Sequence, residues 1–132
     1  GSFNLKDKKA LMLGVSYRSD VADTRFTPVE TFFNLLQQNN CEVFLHDPYV
    51  DFWEEKNIDV LTEFEIAFKN NLDLVVISTS HSEYVNSKKL LGLLKKQNNL
   101  FILDTVGVLS EDEIKSLSKK HKVRVVGRGD IF

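Results

Sequence analysis

Residues 10–39, ALMLGVSYRSDVADTRFTPVETFFNLLQQN, read as a strand, a loop and a helix, and the fold follows from that unit. Residues 10–15 form a short apolar run, the composition of a strand buried on both faces. Over residues 28–39, Val29, Phe32, Phe33 and Leu36 fall at i, i+3, i+4 and i+7, which predicts an amphipathic helix laid on a sheet. Thr27 is placed to cap it, Pro28 suits its first position, and Glu30 is spaced to reach back to the Thr27 amide in a capping box.

The unit repeats. Further β-rich apolar runs lie at 41–45, 72–77, 100–103 and 123–126, and the Ser/Thr-x-x-Glu signature returns at Thr62/Glu65, Ser80/Glu83 and Ser110/Glu113. Strands that alternate with helices pair in parallel through right-handed crossovers. The expected fold is therefore α/β, a three-layer Rossmann-like sandwich with a mostly parallel sheet of about five or six strands.

A chain of 132 residues that is 42% hydrophobic has the size and apolar content of one globular unit. Residues 3–132 are expected to form it, with no long linker, low-complexity tract or solenoid repeat. Gly1-Ser2, with no initiator Met, reads as the remnant of a cleaved tag on a fragment of a longer protein. A net charge of −2 gives no basic footprint for nucleic acid or an anionic membrane. No apolar run approaches the roughly 20 residues that span a bilayer, and the single cysteine, Cys41, has no internal partner, so a reducing cytoplasm is expected.

In parallel sheets ligands bind beyond the carboxyl ends of the strands, near the point where strand order reverses. The loop at 14–28 is a natural place, yet it holds only Gly14, whereas a dinucleotide turn needs G-x-G-x-x-G so that amides approach the pyrophosphate. NAD or FAD is therefore not expected in this chain. The loop instead carries Arg18 and Arg25 near a helix N-terminus, where free amides and the helix dipole favour an anion and a guanidinium grips phosphate at two points. Tyr17 supplies a flat face for a base, and Asp20 or Asp23 can orient the arginines or accept from ribose. The plainer alternative is that both arginines pair with Asp20 and Asp23 as surface salt bridges.

Other residues admit two readings each. Asp47 ends the second run, either as a ribose-binding acid or, more simply, as an Asp-Pro turn. His81 is a candidate ligand contact or a helix-start hydrogen bond. Tyr49, Phe52 and Trp53 crowd one loop and either cap this unit's own core or dock against a further domain or subunit. His46, His81 and His121 lie far apart with no carboxylate at metal-ligand spacing, so no metal site is expected. The lysine pairs 88/89, 95/96 and 119/120 read as solvated helix faces.

Gly14, Tyr17, Arg18, Asp23, Arg25, Thr27 and Pro28 resemble a pattern of the UDP-glucose/GDP-mannose dehydrogenase family, in which the first strand of the C-terminal domain leads through glycine, an aromatic and a lysine into Asp-x-Arg-x-Ser-Pro. His46-Asp47-Pro48-Tyr49, Ser80-His81-Ser82-Glu83-Tyr84, Leu103-Asp104-Thr105 and Val126-Gly127-Arg128-Gly129 are similar to the family's later motifs, in order and over nearly the whole chain. The resemblance implies an enzyme that oxidises the C6 hydroxyl of a nucleotide-sugar to a carboxylate in two NAD-dependent steps on a catalytic cysteine. Such enzymes belong to the supply of sugar acids for polysaccharide biosynthesis.

It assigns to this chain the UDP end of a UDP-sugar, with Tyr17, Arg18 and Arg128 as contacts and Asp23 and Arg25 supporting them. NAD and the catalytic cysteine belong to the missing N-terminal and central domains, and the parent is expected to be a homo-oligomer. Arg18 stands where the family has lysine, and Phe26-Thr27 where it has Glu-Ser. Thr105-Val106-Gly107 is closer to the branch that oxidises N-acetylated sugars. The competing reading is a non-catalytic α/β binding or oligomerisation module that keeps the fold without the nucleotide.

Overall fold

The computed structural model describes residues 4–25 and 27–126. In chain order the elements are β1 (Lys9–Leu13), α1 (Val29–Gln38), β2 (Glu42–His46), β3 (Phe52–Trp53), β4 (Ile58–Asp59), α2 (Phe64–Ala67), β5 (Leu74–Ile77), a 3-10 turn (Ser82–Tyr84), α3 (Lys88–Lys96), β6 (Phe101–Asp104), α4 (Glu111–Ser118) and β7 (Lys122–Val125). Five strands form one sheet in the order β2-β1-β5-β6-β7, parallel throughout. The α/β sandwich expected from the sequence is present.

The alternation of side chains along each strand builds two cores. Leu11, Leu13, Val75, Ile77 and Ile102 face Ala67, Leu90, Leu94 and Leu117 of α2, α3 and α4. Ala10, Met12, Leu74 and Val76 face Val29, Phe33 and Leu36 of α1. Covered on both sides, β5 and all of β1 after Lys9 are apolar and buried, which is why they read as unbroken apolar runs.

The short antiparallel pair β3–β4 was not expected; two residues per strand are too few to show a period. It carries Trp53, fully buried with its ring edge-on to Phe33 at 5.4 Å. Of the aromatic loop, then, Trp53 belongs to the core, while Tyr49 and Phe52 remain 37% and 40% exposed. Cys41 lies just before β2, its Sγ donating to the Lys8 carbonyl at 3.3 Å, and burial raises its thiol pKa.

Only one of the four expected capping boxes forms, at Ser110/Glu113, where side chain and backbone bond reciprocally. The other three glutamates have long-range partners. Glu30 pairs with Lys56, Glu65 with Lys89, and Glu83 accepts from the Tyr49 hydroxyl. A cap absent from the expectations is Ser87, whose hydroxyl accepts from the Leu90 amide at the start of α3.

The chain leaves β1 toward β2 on one side and then crosses back to β5 on the other. The loops after β1 and β5 therefore meet at the point where strand order reverses, and the candidate site lies there.

Candidate functional site

The loop after β1 is sewn to the loop after β5. Gly14 has φ of +106°, and a Cβ there would stand 2.4 Å from Thr79 Cβ and 2.8 Å from the Thr79 nitrogen. Its missing side chain lets one loop pass over the other. Ser78 Oγ donates to the Gly14 carbonyl at 2.7 Å and Thr79 Oγ1 to the Ser16 carbonyl at 2.9 Å. The Ser19 and Ser80 hydroxyls lie 2.6 Å apart. Ser82 donates from its amide at 2.7 Å and its hydroxyl at 2.5 Å to the Asp20 carboxylate, and these bonds hold that carboxyl below its ordinary pKa. Ser80, expected from the sequence to cap a helix, instead meets Ser19, and the joining roles of Ser78, Thr79 and Ser82 were signalled only by the serine and threonine density of Ser78-Thr79-Ser80-His81-Ser82.

Beneath the seam sits Asp47, fully buried at the end of β2. Its Oδ2 accepts from the Val15 amide at 2.9 Å, the Ser16 amide and hydroxyl at 3.2 and 3.1 Å, and His81 Nε2 at 2.9 Å. Its Oδ1 accepts from the Tyr49 amide at 2.8 Å, the Asx turn expected of Asp-Pro. Burial works to raise this carboxyl, but the hydrogen bonds from His81, Val15 and Tyr49 outweigh it and hold it ionised below the usual carboxylate range.

His81 is fully buried and accepts the Asp20 amide on Nδ1 at 2.8 Å, which assigns its proton to Nε2, facing Asp47. It is thus a bridge between three loops and not a ligand contact. Nearby, His46 bonds the Tyr84 hydroxyl at 2.9 Å and stacks on Phe64 at 4.6 Å, and burial pushes its pKa down to about 4. Asp104, also buried, accepts the amides of Val106, Gly107 and Leu109, and so shapes the loop after β6.

Above this framework the outer loop folds back through the Tyr17 amide, which donates to the Asp23 carbonyl at 2.7 Å. Tyr17 is 55% exposed. Arg25 bonds Asp23 at two points, 3.1 and 3.3 Å, and these bonds lower the Asp23 pKa and raise that of Arg25. The pairing alternative therefore describes Arg25 alone. Arg18 is exposed and makes no salt bridge among the described residues, and Asp20 faces Ser82 and His81.

Tyr17, Arg18, Asp23 and Arg25 line one open pocket of about 460 Å³. A second, of about 300 Å³, shares Asp23 and Arg25 and adds Tyr49, Phe52, Asp51, Glu54 and Glu55. The start of α1 offers fewer free amides than expected. Pro28 has none, and the Val29 and Glu30 amides turn to Thr27 Oγ1 and the Thr27 carbonyl. Arg128 lies outside the described residues.

A sandwich of this strand order, with a polar pocket at its reversal point, is a Rossmann-like ligand-binding domain. Residues 11–111 match the UDP-binding domain of the UDP-glucose/GDP-mannose dehydrogenase family, and the chain belongs to that family. It is 28% identical to the UDP-N-acetyl-D-mannosamine dehydrogenase of Methanococcus vannielii over 97% of its length, but only 29% of that protein. With that of Methanocaldococcus jannaschii it shares 32% identity over 92% of the chain and 27% of the relative. The crystal structure of NDP-N-acetyl-D-galactosaminuronic acid dehydrogenase from Methanosarcina mazei superposes with a TM-score of 0.81 at 28% identity, covering 95% of this chain and 26% of that one. The chain therefore spans less than a third of the length of these relatives. No helix among the described residues is long and apolar enough to cross a membrane.

Proposed function

We propose that residues 3–132 form the substrate-holding C-terminal domain of a longer NAD-dependent nucleotide-sugar 6-dehydrogenase and grip the UDP end of its substrate in the pocket of Tyr17 and Arg18. The observation that carries this is the convergence of Tyr17, Arg18, Asp23 and Arg25 on one pocket at the strand-order reversal of a family UDP-binding domain. Arg18, which makes no salt bridge among the described residues, is the cation for a phosphate, and the exposed Tyr17 ring is a stacking surface for the base. Arg25, already bound to Asp23, acts as support. Arg128 is proposed as a further contact from the end of the chain.

The residues here do not fit NAD. The one glycine of the junction faces Thr79, and the crevice between the loops after β1 and β5 is filled by the serine and threonine seam. The dinucleotide is accordingly assigned to the part of the parent that precedes this chain, together with the cysteine that carries the oxidation. The names of the relatives support a UDP-N-acetylhexosamine as the sugar. A cytoplasmic homo-oligomer is the proposed setting.

The reading is tested by titrating the chain with UDP and following backbone amides by NMR. Shifts are expected at Tyr17, Arg18 and Asp23. Arg18→Ala should weaken binding about 10- to 100-fold, the equivalent of one charge-assisted hydrogen bond of about 1.5–3 kcal/mol. Tyr17→Ala should cost about tenfold, near the low end of a lost stacking contact. No saturable shift in this loop with wild type would overturn it.

A further inference from the structure

We propose that Asp20 and Ser82 are positioning residues for the nucleotide: their seam between the loops after β1 and β5 holds the turn that presents Tyr17 and Arg18. This rests on the reading that Tyr17 and Arg18 make the contact.

Residues 14–25 contain no helix or strand, and the Tyr17 and Arg18 side chains are exposed. Their own burial therefore does not fix them. The backbone on either side does. Before them, the Val15 and Ser16 amides are bound to Asp47, which is itself buried. After them stands Asp20, with φ of +62°, in the left-handed region that L-residues avoid. Aspartate reaches that region more readily than most L-residues, and bonds to its neighbours hold it there.

Here three bonds do so: two from Ser82 to the Asp20 carboxylate, and one from the Asp20 amide to His81 Nδ1. Since His81 also donates to Asp47, both ends of the presenting segment are tied to the same buried imidazole–carboxylate pair. The segment between is short, and the Tyr17 amide is further closed onto Asp23. Neither Asp20 nor Ser82 lines the pocket of Tyr17 and Arg18. Their effect on a ligand therefore passes through the shape of the loop, the support that a binding site needs to keep its contacting groups in place.

Asp20 is exposed, so its replacement leaves no hole in the core. Asp20→Gly removes the bonds to Ser82 while accommodating the positive φ at no steric cost. Asp20→Asn keeps an acceptor for the Ser82 amide and tolerates that φ. In NMR titrations of the 132-residue chain with UDP, Asp20→Gly should bind about 5- to 10-fold more weakly, as expected if the presenting conformation drops to about 10–20% of the population. Asp20→Asn should recover to within about twofold of wild type. Melting temperatures of both should stay within a few degrees of wild type, and the amides of residues 17–19 in Asp20→Gly should show added fast motion.

Equal UDP affinity for wild type and Asp20→Gly, with Arg18→Ala still impaired, would overturn this inference and leave the site intact. Absence of UDP shifts in wild type would overturn the site and this inference with it. If Asp20→Gly melts far lower, Ser82→Ala decides. It deletes one hydroxyl, and unchanged affinity there refutes the positioning role, whereas a several-fold loss at unchanged melting temperature supports it.

Discussion

Replacing Asp47 by asparagine preserves its shape and removes its charge, which makes it a direct probe of the framework under the pocket. The carboxylate is fully buried and accepts five hydrogen bonds, four on Oδ2 and one on Oδ1. An amide has one accepting oxygen. Placed at Oδ2, that oxygen keeps Val15, Ser16 and His81 but turns an NH2 group toward the Tyr49 amide; the opposite orientation faces three N–H groups.

Leaving the part-buried Tyr49 amide without a partner costs about 1 kcal/mol, toward the low end for an unpaired donor. The surviving bonds, three of them from buried N–H donors, lose their charge assistance, about 1–3 kcal/mol more. The sum is about 2–4 kcal/mol, against a total stability on the order of 5–15 kcal/mol. At about 3–4 °C per kcal/mol for a chain of this size, thermal unfolding followed by circular dichroism at pH 7 should shift down by about 10 °C.

The pH dependence adds a second check. Asp47 titrates in the folded state below its unfolded value of about 3.9, so its contribution is present above that value and lost as pH falls through the folded pKa. The gap between wild type and Asp47→Asn should be constant from pH 7 to about 5 and narrow below about 4. A variant that melts with wild type at pH 7, or a gap that does not narrow in acid, would refute the assignment.

Other expectations follow from the same geometry. His46, whose pKa burial lowers from 6.5 to about 4, binds its proton in the unfolded chain first, so stability should fall by about 3 kcal/mol as pH drops from 6.5 toward 4. His46→Phe should flatten that slope in urea titrations, and its C2 proton in wild type should titrate with a midpoint near 4 by NMR. Gly14→Ala should destabilise by more than about 2 kcal/mol, since it combines a positive φ with a clash, and Gly14→Ala/Thr79→Ala should not recover because the Thr79 nitrogen remains 2.8 Å away. Ser110→Ala and Ser87→Ala should each cost about 1 kcal/mol in denaturant unfolding, while Thr62→Ala, which caps nothing, should stay within about 0.5 kcal/mol.

The central strand β5 and most of β1 were readable because burial on both faces leaves them apolar, while the edge strands β2 and β7 hold polar residues beside apolar ones. Observed strand ends lie within two residues of the apolar runs. The capping boxes misled because Ser/Thr-x-x-Glu is a local pattern, whereas Glu30, Glu65 and Glu83 have partners 24 or more residues away. The same distance hid the role of Asp47 and His81. Each was noticed at a strand end, but the bond that joins them spans 34 residues, and no spacing rule connects such pairs. Tyr17, Arg18, Asp23 and Arg25 were readable as a group because they share one loop and need no long-range contact to be neighbours.

The Asp47 hub also limits how this junction can be redesigned. Engineering a dinucleotide turn by writing glycines into residues 15–19 would supply the flexibility such a turn has and still fail to free its donors. The Val15 and Ser16 amides, the first that a pyrophosphate would reach, already point at a buried anion that belongs to the protein. In this scaffold the carboxylate of β2 occupies the electrostatic role that a phosphate takes in a dinucleotide fold. A graft would have to remove Asp47 before adding a single glycine.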